Sequence, residues 1–366
     1  MKTGKSLNEL AAEITRQYEQ KKDYVASTQL MKVEPRDNGK VDLVLGERGA
    51  FPMNEIAHGQ VAEHTGIPVR YYEKMRQEAP ELLKNNIEAW FERYPAPRMV
   101  RTLGGNTRAF LSDRFQPFDN YDFAQAALPI LQARKLNVVS CEITERKLYI
   151  KAIDEALFRD VPVGYKMGDG SHKLFDTCAP AVILSNSEVG FGRLVIETGT
   201  YTSACTNLAL FAKGGMKRTH VGARNKLVEG LEIADVEDIM SSATKKKTME
   251  AVWMQARDVI AAAFDKDVFS KRVEQLAVAA GAKITGKVQS VVEVVQEKFD
   301  LTENEREDVL KHLIAGGQLN QYGLSAAITR AAQDVESYDR ATELEYAGGK
   351  IIELAPTEWR NFAEAA

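Results

Sequence analysis

The residues with most to offer chemistry lie between Leu184 and Lys226. From Thr198 to Val228 there is no acidic residue, while Lys213, Lys217, Arg218, Arg224 and Lys226 gather around Gly214, Gly215 and Gly222, with His220 among them. Glycine lets the backbone come close to a ligand, and unpaired N–H groups beside Lys and Arg make a place for an anion. The stretch reads as a phosphate-facing loop, for a nucleic-acid backbone or a nucleotide. The plainer reading is a solvated basic hairpin loop. Upstream stand the polar turn Ser185-Asn186-Ser187-Glu188, the spaced glycines Gly190 and Gly192, and a strand-like alternation with Leu194 and Ile196 on one face, broken at Gly199.

A second cationic group precedes it. Arg98, Arg101, Arg108 and Arg114 fall on or next to one predicted hairpin, whose turn is Gly104-Gly105-Asn106 and which carries Phe110, Phe115 and Phe118. Charge interleaved with aromatic rings suits a single strand, whose bases stack while its phosphates are neutralised. The candidate nucleic-acid contacts are therefore Arg98, Arg101, Arg108, Arg114, Phe115, Tyr201, Asn207, Lys217, Arg218, His220, Arg224 and Lys226. The alternative is that the phenylalanines are core and the arginines solvated or paired.

The elements that must position these residues are legible in part. Ser6–Lys21 has helical spacing, and Asp37-Asn38-Gly39 is a turn between two strands. Phe51–Arg93 reads as helical; Ala62 four residues before Gly66, then Pro68, resembles a helix-turn-helix, for which a structural helical hairpin is the plainer account. Pro95-Ala-Pro97 reads as a linker. Asp119 or Asn120 should cap a helix over 121–134, strands should follow over 138–153, and 161–175 is a Gly-rich excursion. Beyond Glu229 the pattern is helical: Met249, Val252, Trp253, Ala256, Ile260 and Ala263 share a face, Thr302–Glu305 is a capping box, and a single helix is predicted over 325–340. The expected fold class is α+β: 1–97 N-terminal helices and hairpin, 98–228 a central antiparallel β-rich basic domain, 229–366 an acidic helical region.

Totals narrow the function classes. Of the 366 residues 44% are hydrophobic and 27% charged, the values of an ordinary globular protein. The net charge of −4 conceals a polarity: −1 over 1–97, +6 over 98–226 and −9 over 227–366. No apolar run is long enough for a membrane span, and the N-terminus reads as an amphipathic helix, so a cytoplasmic, reduced setting is expected. Cys141, Cys178 and Cys205 lie far apart with no CxxC spacing, and neither a metal site nor a cofactor motif is expected.

Several segments together resemble a phage- and plasmid-encoded domain-of-unknown-function family, number nine hundred and thirty-two. They are Arg108-Ala-Phe-Leu-Ser-Asp-Arg114, Asn186-Ser-Glu-Val-Gly190, Tyr201–Leu208 with Cys205-Thr-Asn207, Arg218-Thr-His220, the run from Gly323 to Ala332, and Tyr338-Asp-Arg-Ala-Thr-Glu343. The resemblance runs from about residue 50 to 352 and departs from the family pattern at Leu208, where glycine would stand. It implies a mobile-element setting, in which replication, recombination and anti-defence proteins are common, and strand-annealing proteins offer an analogy.

Three functions follow as expectations. The first is a protein that binds nucleic acid, single-stranded DNA above all, as a possible homo-oligomer. The second is a protein–protein module, anti-defence or assembly, using the acidic half. The third is a nucleotide- or nucleic-acid-processing enzyme with Glu188, Cys205, Asn207 or His220 as base or nucleophile, weakened by the lack of a Walker A, HExxH or nucleophile-elbow motif.

Overall fold

The computed structural model describes residues 1–166, 172–203, 205–220, 234–235 and 242–365. Ser6 opens α1 (Leu7–Gln20) with a reciprocal capping box to Glu9. The following strand, β1 (Lys21–Ser27), pairs antiparallel along its whole length with β5 (Pro97–Leu103), which pairs in turn with β6 (Asn106–Ser112). The boundary expected at Pro97 therefore runs through a sheet, because the N–H and C=O groups of β1 find their partners in β5.

The Asp37–Gly39 turn joins β2 (Lys32–Pro35) to β3 (Val41–Val44) as the sequence predicts, and β4 (Ala50–Pro52) completes that small sheet. Over it pack α2 (Glu55–Thr65), α3 (Val69–Glu78) and α4 (Pro80–Arg93). Gly66 closes α2 in the left-handed region at φ 69°, where a side chain would be strained. Ile67 and Tyr72 point inward, and the Tyr72 hydroxyl meets His58 Nδ1 at 2.9 Å. The helix-turn-helix pattern is thus a packed helical hairpin, although Tyr71 is exposed.

The central sheet has the order β12-β11-β10-β8-β7, every pairing antiparallel. Its strands are β7 (Asn137–Ile143), β8 (Leu148–Ile153), β10 (His172–Asn186), β11 (Leu194–Thr202) and β12 (Asn207–Arg218), with β9 (Arg159–Lys166) on the first part of β10. The Gly-rich excursion is thus the β9–β10 arms, its tip at 167–171 lying outside the described residues. Gly199 does not break β11. It pairs with Leu210, and a Cβ there would come within 3.0 Å of the Ala209 carbonyl oxygen.

Helices cover both faces. On one, α1, α5 (Asn120–Ala133) and α6 (Ser242–Ala263) enclose Leu184, Leu194 and Ile196, with Val252, Ala256, Ile260 and Ala263 buried as their spacing predicts. On the other lie α7 (Lys266–Gly281), α10 (Gln321–Ala331) and α11 (Tyr338–Ile352), against Cys178, Leu208, Leu210 and Phe211. A third core joins α10 and α11 to α8 (Val288–Phe299), α9 (Glu303–Gly316) and α12 (Pro356–Ala363). The Thr302–Glu305 capping box is present. The helix expected over 325–340 is two, since α10 stops at Ala331 and the Ser337 hydroxyl caps α11.

The fold is α+β, with a central β-rich region and C-terminal helices. The acidic half closes over the sheet: Lys151 and Glu345, both fully buried, meet at 2.6 Å, and Tyr149 donates to Asp339 at 2.7 Å. Gly349 of α11 lies so near β12 that a Cβ would fall 1.9 Å from the Leu210 carbonyl oxygen. Among the described residues no helix is long and apolar enough to cross a membrane.

Candidate nucleic-acid interface

Strand register brings three segments to one end of the central sheet. Leu148 faces Asn186 and Leu194 faces Arg218, so the 144–147 turn, the 187–193 loop and the end of β12 share a rim. On this rim stand Arg146, Lys147, Arg193, Lys217 and Arg218. The loop carrying Arg114 and Phe115 joins them through His220: the Gln116 amide donates to the His220 carbonyl at 2.7 Å, and the Phe115 and His220 rings stack at 4.9 Å. Among the described residues, Arg114, Arg146, Lys147, Arg193 and Arg218 form no ion pair with a carboxylate.

The 187–193 loop is firmly held. Ser187 Oγ donates to the Arg146 carbonyl at 2.8 Å and accepts from the Phe191 amide at 2.9 Å; Gln60 Nε2 donates to the Val189 carbonyl at 2.8 Å. Gly190 has φ 84°. Phe191 is left 40% exposed, with the Arg146 guanidinium 4.7 Å from its ring centre.

Beneath the rim lies a buried charge network. Arg101, fully buried, binds Asp23 through Nε and Nη2 at 3.0 and 2.8 Å, Asp119 at 2.8 Å and the Glu188 carbonyl at 2.9 Å. Lys21 also pairs with Asp119. Burial opposes ionisation of Asp119, but Arg101 and Lys21 outweigh it and hold the carboxyl well below the usual range. Glu188 takes the Asn120 amide on Oε1 at 2.6 Å and Arg108 on Oε2 at 2.7 Å. Arg108 is 8% exposed, and its Nε and Nη2 have no hydrogen-bond partner among the described residues. It lines a cleft of about 370 Å³ with Arg16, Asn54, Asn106, Asn120, Arg146 and Lys147, in which Glu13, Glu145 and Glu188 are the acidic members.

The expected residues divide accordingly. Arg101 is unavailable to a ligand because carboxylates enclose it, and Asp119, which stands at the N-cap of α5, turns its side chain to Arg101 and Lys21 rather than to the helix. Arg98 is directed at His64 and lies over the Phe110 ring. Lys217 and Arg218 do not act as a pair, since consecutive strand residues face opposite ways. Lys217 meets Glu197 at 2.7 Å, on the face where Tyr346 of α11 also binds Glu197; Arg218 lies over Phe118 on the other. The basic loop begins as strand because β12 runs to Arg218, and Arg224 and Lys226 lie outside the described residues.

Phe115 is half-buried against His220, whose own burial lowers its pKa to about 4. His220 Nδ1 lies 3.1 Å from the Gln116 carbonyl oxygen and so donates to it, which leaves Nε2 as a lone-pair acceptor with no partner among the described residues. Tyr201 and Asn207 are at the opposite end of the sheet, roughly 24 Å along β11 at about 3.4 Å per residue. Asn207 is engaged by the Ala326 carbonyl and by Gln333. Of the enzyme candidates, Cys205 is exposed and far from both Glu188 and His220 along the strands, so no nucleophile–base pair forms among them. Among the described residues no group of His, Cys, Asp and Glu has the arrangement of a metal site.

Sequence reasoning missed Arg146, Lys147, Phe191 and Arg193. Each sits in a loop between strands, and only the pairing of strands distant in sequence brings the loops together. Comparison of the chain with family models, with curated proteins and with solved structures finds no match in any of the three.

Proposed function

We propose that this protein binds single-stranded nucleic acid across the rim of its central sheet. In this reading phosphates meet Arg108, Arg146, Arg193 and Arg218, and a base stacks on Phe191. The observation that carries it is Arg108: a guanidinium held in place by Glu188, lining a cleft, with two nitrogens lacking an acceptor among the described residues. Buried donors without partners are rare and call for an account, and a phosphate oxygen is the acceptor that best suits a guanidinium fork. The exposed ring of Phe191 under Arg146 adds the stacking surface that a single strand needs and a duplex does not. The resemblance to the mobile-element family fits a role in recombination or replication.

The test is fluorescence anisotropy with a labelled oligothymidylate across a salt series. Binding should weaken with salt, and Arg108→Ala should both lower affinity and flatten the log–log slope by about 0.7 for each phosphate no longer neutralised. A hairpin duplex of equal length should bind less tightly. No detectable binding at low salt, or an Arg108→Ala slope equal to that of the parent, would overturn the proposal.

A further inference from the structure

At the end of the sheet away from the rim, a cavity of about 550 Å³ opens between β10–β12 and helices α9 and α10. It has the size of sites that take small organic ligands. Two segments far apart in sequence meet there: Thr200, Thr202 and Cys205–Asn207 on one side, and the helix that begins at Gln321 on the other. Gly323, in the first turn of that helix, packs on the backbone just before it, where a Cβ would lie 1.9 Å from the Gln318 carbonyl oxygen.

The buried charges around the cavity are already matched. Asp176 is held by Lys173 and by the Tyr322 hydroxyl at 3.0 Å, and the half-buried His312 meets Asp334 at 2.8 Å. Arg330 is exposed and donates only to the neutral Gln333, at 2.6 Å. What remains unmatched among the buried lining groups is neutral. Thr200 Oγ1 and Gln318 Oε1 belong to side chains 3% and 6% exposed, both line the cavity, and neither has a hydrogen-bond partner among the described residues. Between them the walls are aliphatic: Ala209, Leu276, Leu313 and Ala327. Apolar walls with a few fixed acceptors suit a flat ring bearing amine or hydroxyl donors, and the lack of an unmatched cation among the buried lining residues described argues against a phosphate inside the cavity.

We propose that this cavity binds an uncharged nucleoside, its base between the aliphatic walls and its N–H or O–H groups donating to Thr200 Oγ1 and Gln318 Oε1. The site is separate from the rim, and its test does not depend on nucleic-acid binding.

Cys205 lines the same cavity and is exposed, whereas Cys141 and Cys178 are buried and burial pushes both thiols up to about 11. Alkylation by iodoacetamide, followed site by site by mass spectrometry, therefore reads occupancy at Cys205. Adenosine or cytidine at millimolar concentration should slow that alkylation at least threefold and saturably. Thr200→Val and Gln318→Leu should each weaken this protection about tenfold while leaving the urea midpoint unchanged or raised, since each removes a buried polar atom without a partner. The proposal fails if neither nucleoside protects Cys205, if both variants keep full protection, or if adenosine monophosphate protects more tightly than adenosine.

Discussion

Arg101 Nη1 donates to the main-chain oxygen of Glu188 at 2.9 Å, and through this bond the sheet of β1, β5 and β6 is fastened to the loop that ends β10. The Glu188 side chain then reaches back to Arg108 and to the start of α5. One residue of a polar turn therefore holds two arginines at different depths. Arg101 is enclosed by carboxylates and serves the joint, while Arg108 retains unused donors beside a cleft.

Removing the Glu188 carboxylate should expose that dependence. Glu188→Ala leaves Arg108 buried without a counter-charge, and breaking such a pair from one side costs about 3–5 kcal/mol. Urea unfolding should show a loss of this size, whereas a loss below about 1 kcal/mol would mean that water reaches Arg108 freely.

The Lys151–Glu345 pair offers a sharper comparison, because neither side chain is exposed at all. Lys151→Met alone should destabilise by about 3–5 kcal/mol, and Lys151→Met with Glu345→Leu should recover most of it. A double variant no more stable than the single one would show that the pair fixes the seat of α11 in a way that apolar packing cannot replace.

Acid should unfold the protein earlier than a chain with ordinary histidines. Burial lowers His58, His64 and His220 to about 4, so between about pH 6.5 and 4 the unfolded chain binds more protons than the native one. Stability is complete above about 6.5 and falls as pH drops through this window; protonation of Asp119 adds a further loss at lower pH. Denaturant midpoints measured from pH 7.5 to 4.5 should decline steadily, and the decline should shrink in His58→Phe, which keeps an aromatic ring without a titrating group.

Lys217 and Arg218 should respond differently despite their adjacency. Arg218→Ala should weaken oligonucleotide binding severalfold with little change in stability. Lys217→Ala should leave binding nearly intact and act on stability, since it strips Glu197, itself buried, of its cation. Equal effects of the two on binding would show that both reach the ligand.

Gly349→Ala should be among the most damaging small changes in the chain. The added methyl meets the Leu210 backbone, which cannot swing aside, and overpacking of this kind costs about 1–3 kcal/mol or more. Circular-dichroism melts of this variant against Gly281→Ala, where a Cβ meets nothing, would isolate the steric part.

Local pattern carries far into this structure. The α6 core face, the capping box at Thr302 and the hairpin turn at Asp37 all depend on residues close in sequence, and each is legible there. What escapes is set by partners distant along the chain. Pro97 looks like a linker until β1 claims β5, and Gly199 looks like a break until β12 packs beside it. Residue type alone groups Arg101 with Arg108; only the arrival of Asp23 and Asp119 separates a structural cation from one with donors to offer. Arg193 does not stand out in the sequence because it is a single charge in a loop, and Arg146 because Glu145 and Lys147 flank it.

The glycine seat of α11 on β12 has one more implication. With helices laid over both broad sides of the sheet, no flat platform remains among the described residues on which a polymer could spread. Any long partner of the middle segment must cross the tips of the strands, touching each once as it passes. Its footprint would then follow the spacing of neighbouring strands, about 4.8 Å, rather than the rise along any one of them.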